Sequence, residues 1–137
     1  MFEVVYYSMC GSTKKIAEAI AGELSVKADN VKMKKELTKA SFLFLGSGCY
    51  GRKPGRKVQG FIVRNDFEGR NVALFGVSAS GEGDEVRAMK QSLKLKGAIV
   101  KGSFQCKGRA FLFLNRGHPS TEELANARKF AVQMKQL

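Results

Sequence analysis

Cysteine is scarce in this sequence, and its copies lie far apart. Cys10, Cys49 and Cys106 are an odd number, and no two of them form a Cys-x-x-Cys pair. This pattern argues against a disulfide framework and against a zinc knuckle. It predicts free thiols in a reducing compartment.

Long apolar runs are also missing. No stretch approaches the roughly 20 apolar residues that cross a bilayer as a helix, so the sequence predicts no membrane span. The first residues, 1–4, show neither the basic segment nor the cleavage site of a signal peptide, and we therefore expect a cytoplasmic protein. The 137 residues, 44% of them hydrophobic, predict a single domain, 1–137, around one core.

Acidic residues are few compared with basic ones. The chain has 12 Asp and Glu against 24 Lys and Arg, which gives a formal net charge of +12. Such a charge attracts acidic partners and binds nucleic acid non-specifically. Because the positive charges are scattered and no nucleic-acid motif accompanies them, nucleic acid is not favoured, and a polyanion-binding module is kept as an alternative.

The apolar pattern alternates between strand-like runs and helical stripes. Phe2 to Tyr7 is an almost continuous apolar run, which is typical of a strand buried on both faces. Ile16, Ile20 and Leu24 share one face of a helix from about Ser12 to Leu24. Later strands are predicted at 30–34, 42–45, 71–77 and 99–104, and later helices around 58–62, from Asp84 and from Ser120.

Three parts of this pattern need comment. Residues 35–41 are too few for a crossover helix between the second and third strands, so we expect a turn there. Residues 109–114 are apolar and fit either an extension of the fifth strand or a sixth strand. Ser120 and Glu123 have the spacing of a capping box, which predicts the start of the terminal helix.

Strands that alternate with helices predict a parallel sheet covered by helices on both faces. The ligand of such a sheet binds at the carboxyl ends of the strands. Three loops follow predicted strands and are rich in Gly, Ser and Cys: residues 8–13, 46–52 and 78–84. We expect them to meet at one crevice.

The first of these loops has the composition of an anion-binding turn. The hydroxyls of Ser8, Ser12 and Thr13, the flexible Gly11 and the N–H groups of a starting helix can all face one anion. The chain has neither the GxxxxGK[ST] motif of a P-loop nor a GxGxxG in this turn, so a phosphate monoester is the best match. The alternative is that Ser12 only caps the helix.

These residues resemble the flavodoxin-like family, whose first loop usually reads Ser/Thr-x-Thr/Ser-Gly-x-Thr. The chain has Ser8-Met9-Cys10-Gly11-Ser12-Thr13 at this place. The resemblance continues in Phe44-Leu45-Gly46-Ser47-Gly48-Cys49-Tyr50-Gly51, in Ala73-Leu74-Phe75-Gly76-Val77-Ser78 and in Gly117-His118-Pro119. It covers nearly the whole chain and is that of a short-chain flavodoxin.

The resemblance implies a three-layer α/β/α fold with a five-stranded parallel sheet in the order 2-1-3-4-5 and FMN as the cofactor. The phosphate would lie on Ser8, Met9, Cys10, Gly11, Ser12 and Thr13. One side of the flavin ring would be lined by Ser47, Gly48, Cys49, Tyr50 and Gly51, and the other by Ser78, Ala79, Ser80, Gly81, Glu82 and Gly83. Tyr50 would stack on the ring, the alternative being ordinary loop packing.

The chain departs from the family pattern in its thiols and its charge. Cys10 stands where the family usually has a hydroxyl or amide, and a thiol is a weaker hydrogen-bond donor. Cys10 and Cys49 fall in two ligand loops, so they are either a redox-active pair or inert thiols. Typical flavodoxins are acidic, whereas a basic cluster follows the second loop here and would surround the entrance of the site: Arg52, Lys53, Arg56 and Lys57.

The function that the resemblance implies is electron transfer by FMN between a reductase and a redox partner with an acidic docking face. An FMN-dependent NAD(P)H:quinone-type reductase is the alternative from the enzyme class, and a flavin-free polyanion-binding module is the third reading. His118 is the only histidine, and its place before Pro119 favours a structural role in a turn over acid–base catalysis.

Overall fold

The computed structural model describes residues 1–34, 36–39, 41–108 and 117–137. The apolar segment 109–114 therefore lies outside the described residues. Strands and helices alternate along the chain as follows: β1 (Phe2–Tyr7), α1 (Ser12–Leu24), β2 (Ala28–Asn30), β3 (Phe42–Tyr50), β4 (Lys53–Pro54), α2 (Arg56–Arg64), β5 (Asn71–Ser78), α3 (Asp84–Leu95), β6 (Ile99–Lys107) and α4 (Thr121–Lys135).

The sheet has the order β2-β1-β3-β5-β6, and all of these neighbours pair in parallel. The short strand β4 lies off this path and pairs antiparallel with β3. When β4 is left out, the strand order is the predicted 2-1-3-4-5, so that prediction is confirmed. β3 is central, and the order reverses between β1 and β3, which is where an open α/β sheet forms its ligand crevice.

Helices cover both faces of the sheet. On one face, α1 and α4 pack against β1, β3 and β5, and on the other face α2 and α3 pack against the same strands. Phe44 and Phe75 point to the first face and Leu45 and Leu74 to the second, and all four are fully buried. Burial of each such side chain contributes about 1.5–3 kcal/mol. The three-layer arrangement is thus the one that buries alternate residues of each strand.

The second strand lies earlier than predicted. It spans Ala28–Asn30, whereas the pattern indicated residues 30–34. The reason is the turn that Asn30 starts: its carbonyl accepts the N–H of Lys34 at 3.0 Å, and its side chain accepts the N–H of Lys32 at 3.0 Å. The lysines predicted for the strand therefore lie in that turn.

The connection from β2 to β3 contains this turn, as expected, and no helix among its described residues. Glu3 of β1 holds the connection, since its carboxylate accepts the N–H of Thr38 at 2.9 Å and pairs with Lys34 Nζ at 2.9 Å. Burial alone would raise the pKa of Glu3, but hydrogen bonds from Ser41, Lys34 and Thr38 outweigh it and lower the pKa. The buried carboxylate of Glu3 thus anchors a connection that has no crossover helix among its described residues.

The third strand is longer than predicted, because most of the glycine-rich segment from Gly46 is strand and only its end is a loop. The strand runs to Tyr50, and Gly48 still pairs with Val77 of β5. A Cβ on Gly46 would lie 2.0 Å from the Phe75 ring, so glycine is needed here for close packing. The loop itself is only Gly51 and Arg52, whose φ angles of 62° and 67° are those of a tight hairpin turn.

Candidate functional site

The carboxyl ends of β1, β3 and β5 enclose a pocket of about 320 Å³. This volume lies within the range of about 300–1,000 Å³ that is typical of small-molecule sites. The pocket thus lies at the edge of the sheet where the three loops were expected to meet. Its lining residues are Ser8, Met9, Cys10, Ser12, Thr13, Gly48, Cys49, Tyr50, Val77, Ser78, Ala79 and Gly108.

The first turn leads directly into the start of α1. Ser8 Oγ accepts the N–H of Gly11 at 2.9 Å, and Gly11 is the N-cap residue with a φ of 87°. Ser12 and Thr13 at the start of this helix line the pocket, so its positive end lies at the pocket, and no side chain caps it. Ser12 is the first helical residue and not the cap, so the interpretation of Ser12 as only a helix cap was wrong.

The loop after β5 has the same hydrogen bond from a glycine N–H to a serine hydroxyl three residues earlier. Ser78 Oγ accepts the N–H of Gly81 at 2.9 Å, and Gly83, with a φ of 83°, is the N-cap residue of α3. Ser78 and Ala79 line the pocket. The other residues predicted from this loop do not line it: Ser80, Gly81, Glu82 and Gly83. Gly81 and Gly83 lie instead against Lys107 and Gln105 of β6.

Tyr50 joins the end of β3 to the first turn. Its hydroxyl accepts the N–H of Met9 at 3.1 Å, and its ring meets that of Tyr7 edge-on, with 5.9 Å between ring centroids. A Cβ on Gly48 would lie 2.7 Å from the same hydroxyl, so glycine makes room for the tyrosine. Burial, more than any other cause, raises the pKa of Tyr50. Tyr50 therefore both packs locally and forms a pocket wall, and stacking on a flavin stays a prediction.

Two residues predicted beside Tyr50 do not line the pocket. Ser47 is fully buried, donates to the carbonyl of Gly48 at 2.7 Å and accepts the N–H of Gly55 at 2.9 Å. It therefore holds β3 to the start of α2. Gly51 lies in the hairpin turn between β3 and β4.

The thiols differ in their surroundings. Cys10 is exposed, whereas burial followed by the nearby Glu85 raises the pKa of Cys49 to about 11. Burial raises the pKa of Cys106 to about 12. Since the thiolate is the reactive form, the raised pKa of Cys49 argues against the redox-active pair of Cys10 and Cys49 and favours inert thiols.

Sequence reasoning missed two pocket residues, Val77 and Gly108. The N–H of Gly108 bonds to the carbonyl of Ser78 at 3.0 Å, and a Cβ on Gly108 would lie 2.1 Å from Val77 Cγ1 and 2.8 Å from Ser12 Cβ. Gly108 therefore lies against Ser12, at the start of α1. The only signal in the sequence was a glycine that follows the predicted fifth strand by a few residues.

His118 lies in the turn that precedes α4 and does not line the pocket. Its Nδ1 is 2.5 Å from Glu123 Oε1, and Glu123 completes the predicted capping box by accepting the N–H of Ser120 at 2.8 Å. Glu123 also accepts the N–H of Lys107 at 3.2 Å. Burial would raise the pKa of Glu123, but these hydrogen bonds outweigh it and lower the pKa. His118 thus belongs to a hydrogen-bonded group, centred on Glu123, that connects α4 to β6.

A second pocket, of about 540 Å³, adjoins the first and shares Met9 and Tyr50 with it. Three of the four basic residues predicted at the entrance line this second pocket: Lys53, Arg56 and Lys57. Arg52 lines neither pocket. It is 89% exposed at its side chain and lies 3.9 Å from Asp84.

The fold and the pocket together define a doubly wound α/β protein with a ligand crevice at the point where the strand order reverses. A family model described as a flavodoxin domain matches residues 3–134. The chain belongs to this flavodoxin domain family. Flavodoxins bind FMN, so FMN is the cofactor that family membership implies.

Solved structures with the same fold include a flavodoxin from the domain Archaea, with a TM-score of 0.75, 17% identity and coverage of 98% of this chain and 96% of that one. Flavodoxin 2 from Bacillus cereus has a TM-score of 0.73 and 20% identity, over 98% and 97% of the two chains. Rubredoxin oxygen:oxidoreductase from Desulfovibrio gigas has a TM-score of 0.71 and 15% identity, over 98% of this chain and 35% of that one. No curated protein matches the chain significantly in sequence.

The pocket fits FMN in two respects. A phosphate matches the uncapped start of α1, beside the hydroxyls of Ser12 and Thr13. A flat ring matches the walls formed by Tyr50, Val77 and Ala79. In the described part of the chain, no group of three or more His, Cys, Asp or Glu residues is placed to hold a metal ion. No helix described here is long and apolar enough to cross a membrane.

Proposed function

We propose that this protein binds FMN in the pocket at the ends of β1, β3 and β5 and carries electrons between a reductase and an acidic redox partner. The observation that supports this most is the combination of an uncapped helix start with apolar walls in one pocket. FMN supplies reversible one- and two-electron chemistry when it is bound. The protein's own residues bind it, orient it and exclude water from it.

The first turn would bind the phosphate group. Ser8 Oγ holds the N–H of Gly11 and so keeps the turn closed at the start of α1. Ser12 and Thr13 are buried but line the pocket. Their hydroxyls would therefore form hydrogen bonds with the ligand and not with bulk water. Cys10 and Met9 would contribute backbone groups, since a thiol and a thioether are weak hydrogen-bonding partners.

The walls would orient the ring. Tyr50 is held by its hydroxyl on the N–H of Met9 and by its edge contact with Tyr7, which fixes the plane of its ring. Val77 and Ala79 would face it from β5. Loss of water from such a site strengthens electrostatic interactions with the ring.

The charge around the entrance supports an acidic partner. Lys53, Arg56 and Lys57 surround the second pocket, and Met9, which is 68% exposed, lies at the rim shared by the two pockets. An exposed apolar side chain beside several positive charges is complementary to an acidic surface. The exchange of electrons with such a partner would slow at high salt, because exposed charges are screened.

A comparison of FMN with riboflavin, which lacks the phosphate, tests the proposal. Apoprotein is titrated with each flavin, and we expect FMN to bind at unit stoichiometry and more tightly than riboflavin. Ser8→Ala opens the first turn and should reduce this preference. Ser78→Ala removes the equivalent hydrogen bond from the other loop, so it should keep the preference for FMN even if both affinities fall. Equal binding of FMN and riboflavin by the unaltered protein contradicts the proposal.

The second pocket favours one further candidate, an FMN-dependent NAD(P)H:quinone-type reductase. A second substrate needs room next to the flavin, and the adjoining pocket provides about 540 Å³ lined by three cations. Steady oxidation of NAD(P)H by the FMN-loaded protein without a separate reductase would favour this enzyme. Oxidation that requires a reductase would favour the carrier.

A further inference from the structure

A buried carboxyl group lies directly behind the pocket wall. Glu85 is in the first turn of α3 and is 0% exposed. Neither of its carboxyl oxygens has a hydrogen-bond partner of normal geometry among the described residues. A buried carboxylate with so few polar partners is disfavoured, so this group binds a proton more readily than an exposed carboxylate does, and a further negative charge nearby would favour protonation more.

The strand beneath makes room for this carboxyl group. A Cβ on Gly76 of β5 would lie 2.1 Å from Glu85 Oε1, closer than any real contact. The backbone of Gly76 has no positive φ, so its conformation does not call for glycine. The lack of a side chain on Gly76 leaves the space that the Glu85 carboxyl group occupies.

Cys49 connects the carboxyl group to the pocket. Its thiol lines the pocket and interacts with Glu85. The other charged or titratable groups that interact with Glu85 are Asp84 and Arg87 of its own helix and Cys106 of β6. Asp84 is itself paired with Arg87 and lies near Arg52. Burial is the largest influence, and the pKa of Glu85 is raised.

We propose that Glu85 is a redox-linked proton acceptor of this site: it takes up one proton from solvent as an electron enters the pocket and releases it as the electron leaves. This inference rests on the proposed FMN-dependent function. The electron comes from the reductase, and the proton that solvent supplies forms an O–H bond on the Glu85 carboxylate. The driving force is the added negative charge, which disfavours a second negative charge close by in a region of low dielectric constant.

Redox titrations over a range of pH test this role. We compare the FMN-loaded protein with Glu85→Gln, which keeps the shape but cannot ionise, and with Glu18→Gln, which changes the same charge at an exposed position of α1. The one-electron midpoint potential of the unaltered protein should depend more steeply on pH than that of Glu85→Gln. The difference should approach about 59 mV per pH unit, the equivalent of a tenfold change for one electron. Glu18→Gln should behave as the unaltered protein does.

An infrared difference spectrum between the reduced and oxidised protein gives a second readout. A carboxylic acid C=O band should appear on reduction in the unaltered protein and be absent in Glu85→Gln. Identical pH slopes in the two proteins, or a band that persists in Glu85→Gln, would overturn the proposal.

The apoprotein separates this inference from the proposed function. The pKa of Glu85 is higher in the folded than in the unfolded state, so its contribution to stability is fully present below the unfolded pKa, about 4.3, and is lost as the pH rises towards the folded pKa. Glu85→Gln should therefore gain stability relative to the unaltered protein between pH 4 and neutral pH. If the difference in unfolding free energy between Glu85→Gln and the unaltered protein does not vary with pH, the raised pKa of Glu85 is refuted. Absence of FMN binding overturns the redox role together with the proposed function.

Discussion

Alanine at position 46 should destabilise the protein strongly, because Gly46 lies within β3 and not in a loop. Its added Cβ would be 2.0 Å from the Phe75 ring, whereas carbon atoms in contact prefer about 3.5–4.0 Å. Phe75 is fully buried, so the ring has no free space to move into. Overpacking of this kind costs about 1–3 kcal/mol, and we expect a value near the upper end for Gly46→Ala.

The matched control is Gly22→Ala in α1, where a Cβ would meet nothing within 4 Å. Glycine in a helix is about 1 kcal/mol less favourable than alanine, so this variant should be more stable than the unaltered protein. Both variants are measured by urea unfolding of the apoprotein, with equal m-values as the check that the midpoints report stability. The two substitutions should thus have opposite signs.

The sign of the stability change in Gly46→Ala shows whether residue 46 lies in a packed strand or in a flexible loop. In a flexible loop, alanine would be neutral or would stabilise by about 0.4–1 kcal/mol through the unfolded chain. A stability equal to or above that of the unaltered protein would therefore refute the close packing of β3 against Phe75. A loss of about 3 kcal/mol would lower the melting temperature by about 10 °C in a domain of this size.

Two further predictions concern charge. Glu123→Gln should lose about 1–3 kcal/mol of stability at neutral pH, since hydrogen bonds to a charged acceptor are lost. Because the pKa of Glu123 is lowered on folding, this loss should shrink as the pH falls below about 4.3, and a loss that stays constant in unfolding curves down to pH 3 would contradict it. Lys53→Glu should make the FMN potential more negative, since each unit of charge at about 10 Å and an effective dielectric constant near 20 contributes roughly 1.5 kcal/mol before screening, and this reversal changes two units. Redox titration should show a smaller change for Lys129→Glu on α4, and equal changes would argue against an effect of the entrance charge.

Local patterns were enough for most helices and strands, and they failed where a contact distant in sequence decided the outcome. The capping box at Ser120 and Glu123 is a short-range signal, and it was predicted correctly. The end of β3 was misread as a loop because its glycines are typical of loops. The close approach of Phe75 that requires Gly46 comes from a strand almost thirty residues later in the chain.

The candidate site shows the same division. Ser8 and Gly11 are three residues apart, so the turn that they form follows from a local hydrogen bond and was readable as an anion-binding turn. Gly108 was not readable as a site residue, because its role depends on where β6 ends relative to Ser12. Glu85 looked like an ordinary acid at the start of a helix, and only the packing against Gly76 shows that it is buried.

The sequence by itself determined most of the order of strands and helices and the membership in a family of FMN-binding proteins, and it predicted an anion-binding turn after β1, since each depends on residue types at short spacing. The tertiary structure decided which loop residues line the pocket, which basic side chains of β4 and α2 line the adjoining one, and that the pocket residue Cys49 interacts with the buried Glu85. These features depend on contacts between strands that are far apart in the chain. The periodicity of the sequence does not predict such contacts. They result from the packing of side chains between β3, β5 and α3.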